Sequence, residues 1–206
     1  MFRKISGQSD SLIVALDREG LYCDDGLVLG VRYDAVSGTD LRRDFKGYEE
    51  IRQPYSLDYL LAATASLLDS FYYALRFATG SLQGSYSHVY PQHVRALPVR
   101  LIHFTTPQPE RGHLVADLVT LYEQGEHETL LSEVKVLLPK NDEGEFLAFQ
   151  RGATGAEEKS DVVHDLLAHL AKQMMEFHRQ RQDLEGQVDL FRFVDRGLAF
   201  ASLGDA

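Results

Sequence analysis

Between Tyr55 and Leu75 the chain repeats one spacing: Leu60, Leu61, Thr64, Leu67, Leu68, Phe71, Tyr72 and Leu75 recur three and four residues apart. That is the period of a single helical face, so it commits the segment to a helix with a wide apolar stripe. Ser56 is placed to accept a bond from an unpaired N–H of the first turn, and Gly80 to end the helix in a left-handed turn. A stripe this wide predicts burial of the Ser56–Ala78 helix against a sheet. Beyond the break come Tyr86-Ser87-His88-Val89-Tyr90-Pro91 and a short strand around Leu97-Pro98-Val99-Arg100.

The strands to pack against it lie upstream. Ser11 to Leu16 and Leu27 to Val31 are β-rich runs separated by the turn Asp17-Arg18-Glu19-Gly20. Their unbroken apolar character predicts strands covered on both faces. Downstream of Pro107 the pattern turns helical. Leu114, Val115, Leu118, Leu121 and Tyr122 make one face, and Leu130, Leu131, Val134 and Leu138 another before Pro139. A third helix, capped by Ser160 or Asp161, carries Val162, Val163, Leu166, Leu167, Leu170, Met174 and Phe177 and is expected to end near Gly186. The expected class is α+β: a mixed or antiparallel sheet packed by a long central helix, then a helical C-terminal portion. A boundary near residue 107 separates a sheet-plus-helix core (1–107) from that portion (108–206), whose long helix lies near 160–186.

Charge follows the same division. The formal net charge is −10. Residues 1–107 hold 11 Lys and Arg against 12 Asp and Glu, and residues 108–206 hold 10 against 19. A surface for polyanions therefore belongs to the front, and the acidic back suits solvent or a basic protein partner. No run of about 18 apolar residues and no secretory leader pattern is present, so a cytoplasmic protein with no membrane association is expected. Cys23 is alone, which excludes a disulfide framework.

Catalytic signatures are weak. Gln53-Pro54-Tyr55 has one proline and no preceding Asn or Asp, so it reads as a helix entry instead of an adenine-holding element. No glycine-rich cofactor loop is found. Asp117 with Glu133-Val134-Lys135 mimics a nuclease cluster, but Glu133 and Lys135 are two apart in predicted helix and point different ways. His164 and His169 are five apart, not the four that put two imidazoles on one helical face. Neither a metal site nor a cofactor site is expected in this chain, nor enzyme activity from it alone.

Several of these stretches together resemble the TaqI-like specificity domain, the C-terminal target-recognition region of type IIG restriction enzymes and related adenine-N6 DNA methyltransferases. The resemblance lies in Tyr55-Ser56-Leu57-Asp58-Tyr59-Leu60-Leu61, the pair Tyr72-Tyr73, and Leu97-Pro98-Val99-Arg100. It extends to the Arg3-Lys4-Ile5 entry strand, the hairpin Leu12–Asp17 with Gly20-Leu21-Tyr22, and the closing helix Leu166-Leu167-Ala168-His169-Leu170-Ala171-Lys172-Gln173-Met174-Met175. It implies sequence-specific recognition of duplex DNA beside a methyltransferase catalytic domain or subunit, which would carry S-adenosylmethionine and flip the target adenine. It also implies that Arg3 and Lys4 belong to a basic entry strand.

Chemistry and position, with no motif behind them, add two groups. Arg42, Arg43 and Lys46 in the polar connection 35–54 would anchor phosphates, unless that loop is merely solvated with its charges self-paired. Gln83, Tyr86, Ser87 and His88 would face bases or backbone, unless they form an ordinary glycine-rich connection. The chain starts almost at the Arg-Lys-Ile strand, so the catalytic half is expected on a longer protein or a separate subunit. The C-terminal helix could dock such a subunit or join two copies as a homodimer, or fold back on its own core. A reading of another class is an acidic helical protein-interaction module that does not bind DNA.

Overall fold

The computed structural model describes residues 1–3, 12–20, 26–31, 55–77, 88–138 and 158–202, the last segment by backbone alone beyond residue 185. Two strands, β1 (Phe2–Arg3) and β2 (Leu27–Val28), are followed by helices α1 (Leu57–Thr64), α2 (Leu67–Phe77), α3 (Pro91–Arg95), α4 (Gln108–Glu123), α5 (His127–Leu137) and α6 (Ser160–Ser202). Helix therefore dominates the described residues, with a small antiparallel sheet at the front. The chain forms two compact units, Met1–His169 and Leu170–Ala206. The boundary drawn near residue 107 is one of composition and charge.

In the first unit β1 pairs with β2 in the register Phe2↔Val28 and Arg3↔Leu27, and Phe2 also bridges Val14. Alternation sends Phe2 inward and Arg3 out. Phe2, Leu12 and Val28 join Tyr73, Val89 and Leu97 in one buried cluster. Leu12 is tied to it further by its N–H, which donates to Ser70 Oγ at 3.2 Å. Of the runs expected as strands, the described residues form only a bridge at Val14 and the two residues of β2, and Ile13, Leu29 and Val31 are exposed, so cover on both faces does not occur.

The central helix is two helices, not one. Thr64 bends its hydroxyl back to the Leu60 carbonyl at 2.6 Å. Ser66 then starts a new helix by accepting the Asp69 N–H at 3.1 Å. The break falls at Ala65–Ser66. The stripe read across both halves is consequently split. Asp69, Ser70 and Tyr73 are the buried residues of α2, while Leu67, Leu68, Phe71 and Leu75 are 59–84 % exposed. The expected burial of that stripe against a sheet does not occur.

Asp69 is the cost of this arrangement. It is buried, its Oδ2 meets no hydrogen-bond partner among the described residues, and burial pushes its carboxyl above the usual carboxylate range. A raised folded-state value makes the ionised form destabilising above that value, a penalty relieved as pH falls towards the unfolded value. Asp69→Asn is therefore expected to raise the melting temperature at pH 7 and to lose that advantage towards pH 4. Thermal melts of the two chains across that range check it, and an advantage that grows on acidification would contradict it.

The other helices follow their signals. α4 ends in a Schellman turn: Gly125, at φ +77, lets Glu126 N–H reach the Leu121 carbonyl and Gly125 N–H the Tyr122 carbonyl. The strand expected at Leu97–Arg100 does not form; α3 precedes it, with Pro91 in the first helical turn, where a missing N–H costs nothing. α6 runs past Gly186, its expected end, to Ser202, because one glycine costs a helix only about 1 kcal/mol.

Candidate nucleic-acid interface

Two of the residues singled out for DNA contact, Arg3 and His88, lie among the described residues. Lys4, Arg42, Arg43, Lys46, Gln83, Tyr86 and Ser87 lie outside them. Arg3 and His88 are both exposed, and each is the chain neighbour of a residue in the same core, Phe2 and Val89 respectively. One packed cluster thus fixes the backbone at both positions.

The anchor at His88 is specific. The Tyr73 hydroxyl, almost wholly buried, donates to the His88 carbonyl at 2.9 Å. The His88 ring stacks on Tyr90 with centroids 6.1 Å apart, and Tyr90 meets His93 edge-on at 5.2 Å. His93 in turn stacks on Phe77, the last residue of α2, at 4.5 Å. This ladder runs from the core to the surface and fixes both Phe77 and His88, the two ends of the 78–87 connection. Loops of this kind carry contacts only when a rigid frame holds their ends. Tyr90 and His93 were not among the sequence candidates. The aromatic-Pro pair before a short helix was their only signal.

A second cluster locks the frame together. Tyr55 receives the Ile102 N–H at 3.2 Å and donates to the Arg100 carbonyl at 3.1 Å, and burial pushes its phenol up, so it stays a donor at neutral pH. Tyr59, Ile102 and Ala168 form a buried core with Tyr55, Leu60, Phe104 and Leu167 against it. His164 lies 4.5 Å from the Tyr59 ring, accepts the Ser56 N–H on Nε2 at 3.1 Å, and so presents Nδ1–H to Asp165 at 2.7 Å. Asp161, fully buried, accepts from Thr106 N–H at 2.8 Å, Thr106 hydroxyl at 2.7 Å and Val162 N–H at 3.0 Å. Arg111 completes the set, 3.5 Å from Asp161 and 2.9 Å from Asp165.

These groups pair with one another and hold α1, the 100–106 segment, α4 and the start of α6 in one arrangement. Ser160 and Asp161 turn their side chains mainly to His103 and Thr106, which joins the helix to that segment. Leu97 is buried, and Arg100 at the edge pairs with Glu158 at 2.6 Å.

α4 and α5 enclose an open cleft of about 470 Å³ floored by Leu114, Leu118, Leu121 and Leu137, with Asp117 and Glu133 at its mouth. The two carboxylates thus share a cleft, on helices rather than on the strand a nuclease arrangement needs. Among the described residues no group of three or more His, Cys, Asp or Glu could hold a metal ion. No helix among them is long and apolar enough to cross a membrane. No protein-family model, curated protein or solved structure matches the chain at a significant level.

Proposed function

We propose that this chain is the target-recognition part of a restriction–modification methyltransferase system, reading duplex DNA without a catalytic centre of its own. The observation that carries the reading is the Tyr59–Ile102–Ala168 core. It joins the three stretches on which the resemblance rests most: the Tyr-Ser-Leu-Asp-Tyr helix, the segment after Leu-Pro-Val-Arg, and the closing helix.

In this reading Arg3 and Lys4, with Arg42, Arg43 and Lys46, hold phosphates, and Gln83, Tyr86, Ser87 and His88 face bases or backbone. Phosphate contacts set register, and hydrogen-bonding groups on the framed 78–87 connection supply discrimination. The methyltransferase domain or subunit binds S-adenosylmethionine and performs the chemistry. The exposed apolar face of α2, with Leu67, Leu68, Phe71 and Leu75, supports a protein partner on this unit. A cytoplasmic setting follows from this role.

Alanine at Arg42, Arg43 and Lys46 tests the phosphate assignment. Each lost contact should flatten the plot of log affinity against log salt by about one unit, with little change in sequence preference. An unchanged slope would remove these residues from the interface. The second reading, an acidic interaction module, draws on the α4–α5 cleft, whose apolar floor and carboxylate mouth suit a basic amphipathic helix. Salt-sensitive binding to a protein, with none to duplex DNA, would favour it.

A further inference from the structure

We infer that the C-terminal part of α6 joins two copies of this chain as an antiparallel coiled coil. The basis is a heptad repeat independent of the DNA reading. From Leu167 the seam positions are Leu167, Met174, Arg181, Val188 and Asp195, alternating with Leu170, Phe177, Leu184, Phe191 and Leu198. Eight of these ten are apolar, over a helix that continues unbroken to Ser202. A seam sustained this long under-winds helices around one another. Leu167 is used inside the first unit, packed on its core. Further along, Met174, Phe177 and Leu184 are 55–62 % exposed, so the seam is open there.

Charge then chooses the partner and its direction. The two polar seam positions are Arg181 and Asp195, of opposite sign. Two parallel copies would bury Arg181 against Arg181 and Asp195 against Asp195, each a repulsion in a desolvated seam. Antiparallel copies bring Arg181 within a turn of Asp195 of the second copy.

The flanking positions fix the register. Glutamine fills three of the five positions before the first seam set, at 173, 180 and 187, and the charges on the opposite flank are Glu185 and Arg192, beside His178. Aligning Arg181 with Leu198, Leu184 with Asp195 and Val188 with Phe191 of the second copy brings Glu185 beside its Arg192. The neighbouring register, one heptad longer in overlap, sets Glu185 against its own copy. The favoured overlap runs from Phe177 to Ser202, about 39 Å of helix. Among the described residues of one chain Arg181 pairs with Glu185 at 3.5 Å, both groups exposed, a pair that solvent screens.

Sedimentation equilibrium of the whole chain, with circular dichroism to confirm unchanged helix content, tests this. The wild type should be dimeric at micromolar concentration. Arg181→Asp or Asp195→Arg alone should raise the dimer dissociation constant about a hundredfold, and the double exchange should restore it. In a parallel pair the reversals would merely swap one like-charge contact for another. A monomeric wild type overturns the inference. So do single variants that dimerise normally, as they would if Leu190 and Phe193, which fall outside the seam, made the contact. A double exchange as weak as either single variant also overturns it.

Discussion

Asp161→Ala should destabilise the chain by about 3–5 kcal/mol, the cost of breaking a buried charge pair from one side. The carboxylate is fully buried and serves Thr106 twice, Val162 once and Arg111 across 3.5 Å. Its loss leaves the Thr106 N–H without that acceptor and the Arg111 guanidinium with Asp165 as its remaining carboxylate among the described residues. In a chain of this length the melting temperature should fall by about 10 °C. Asp161→Asn preserves the shape and one acceptor oxygen, and should cost about 2 kcal/mol. Urea titration of the three chains checks the order. Equal stability of wild type and Ala variant would mean that the 100–106 segment is held by the apolar core alone.

The second large effect is expected at Tyr73. Tyr73→Ala removes a buried ring shared by the core of Phe2, Leu12, Val28, Val89 and Leu97, and should cost about 3–5 kcal/mol. Tyr73→Phe keeps the ring and deletes only the 2.9 Å bond to the His88 carbonyl, for about 1 kcal/mol. The informative comparison is local. The Phe variant should speed amide exchange around Val89 and Tyr90 well before it changes global stability. Uniform exchange changes across the unit would show that this bond stabilises the whole fold and does not frame one connection.

The sequence stated the helical content well and the face geometry poorly. α4, α5 and the start of α6 follow from three-and-four spacing, from Pro139 and from the acidic residues near Ser160. The Ala65–Ser66 break was hidden because Leu67, Leu68, Phe71 and Leu75 continue the periodicity of α1 without a glycine or proline. Only a serine that can cap marks it, and serine is common inside helices. The strands were overread for a related reason: Ile13, Leu29 and Val31 are apolar yet exposed, and β-propensity does not report which face is covered. Of the candidate interface, His88 was singled out by its position in a polar run. Tyr90 and His93 were missed because their role depends on Phe77, residues away in sequence and in stacking contact only after folding.

The Asp161–Arg111–Asp165–His164 group was the least legible feature. Its members come from two helices, and it contacts Thr106 and Ser56 on separate segments. No local spacing announces such a set. Its charges are spent on one another, which makes it a fastener between α4, α6 and the 100–106 segment.

The measurement that tests the central claim most directly is selection of random duplexes by the whole chain, followed by titration of the enriched and random pools between about 50 and 200 mM salt. The account predicts one enriched sequence, bound more tightly than random duplex at every salt, with affinity falling steeply as salt rises for both pools. No enrichment, together with an affinity for DNA that is absent or indifferent to salt, would contradict it.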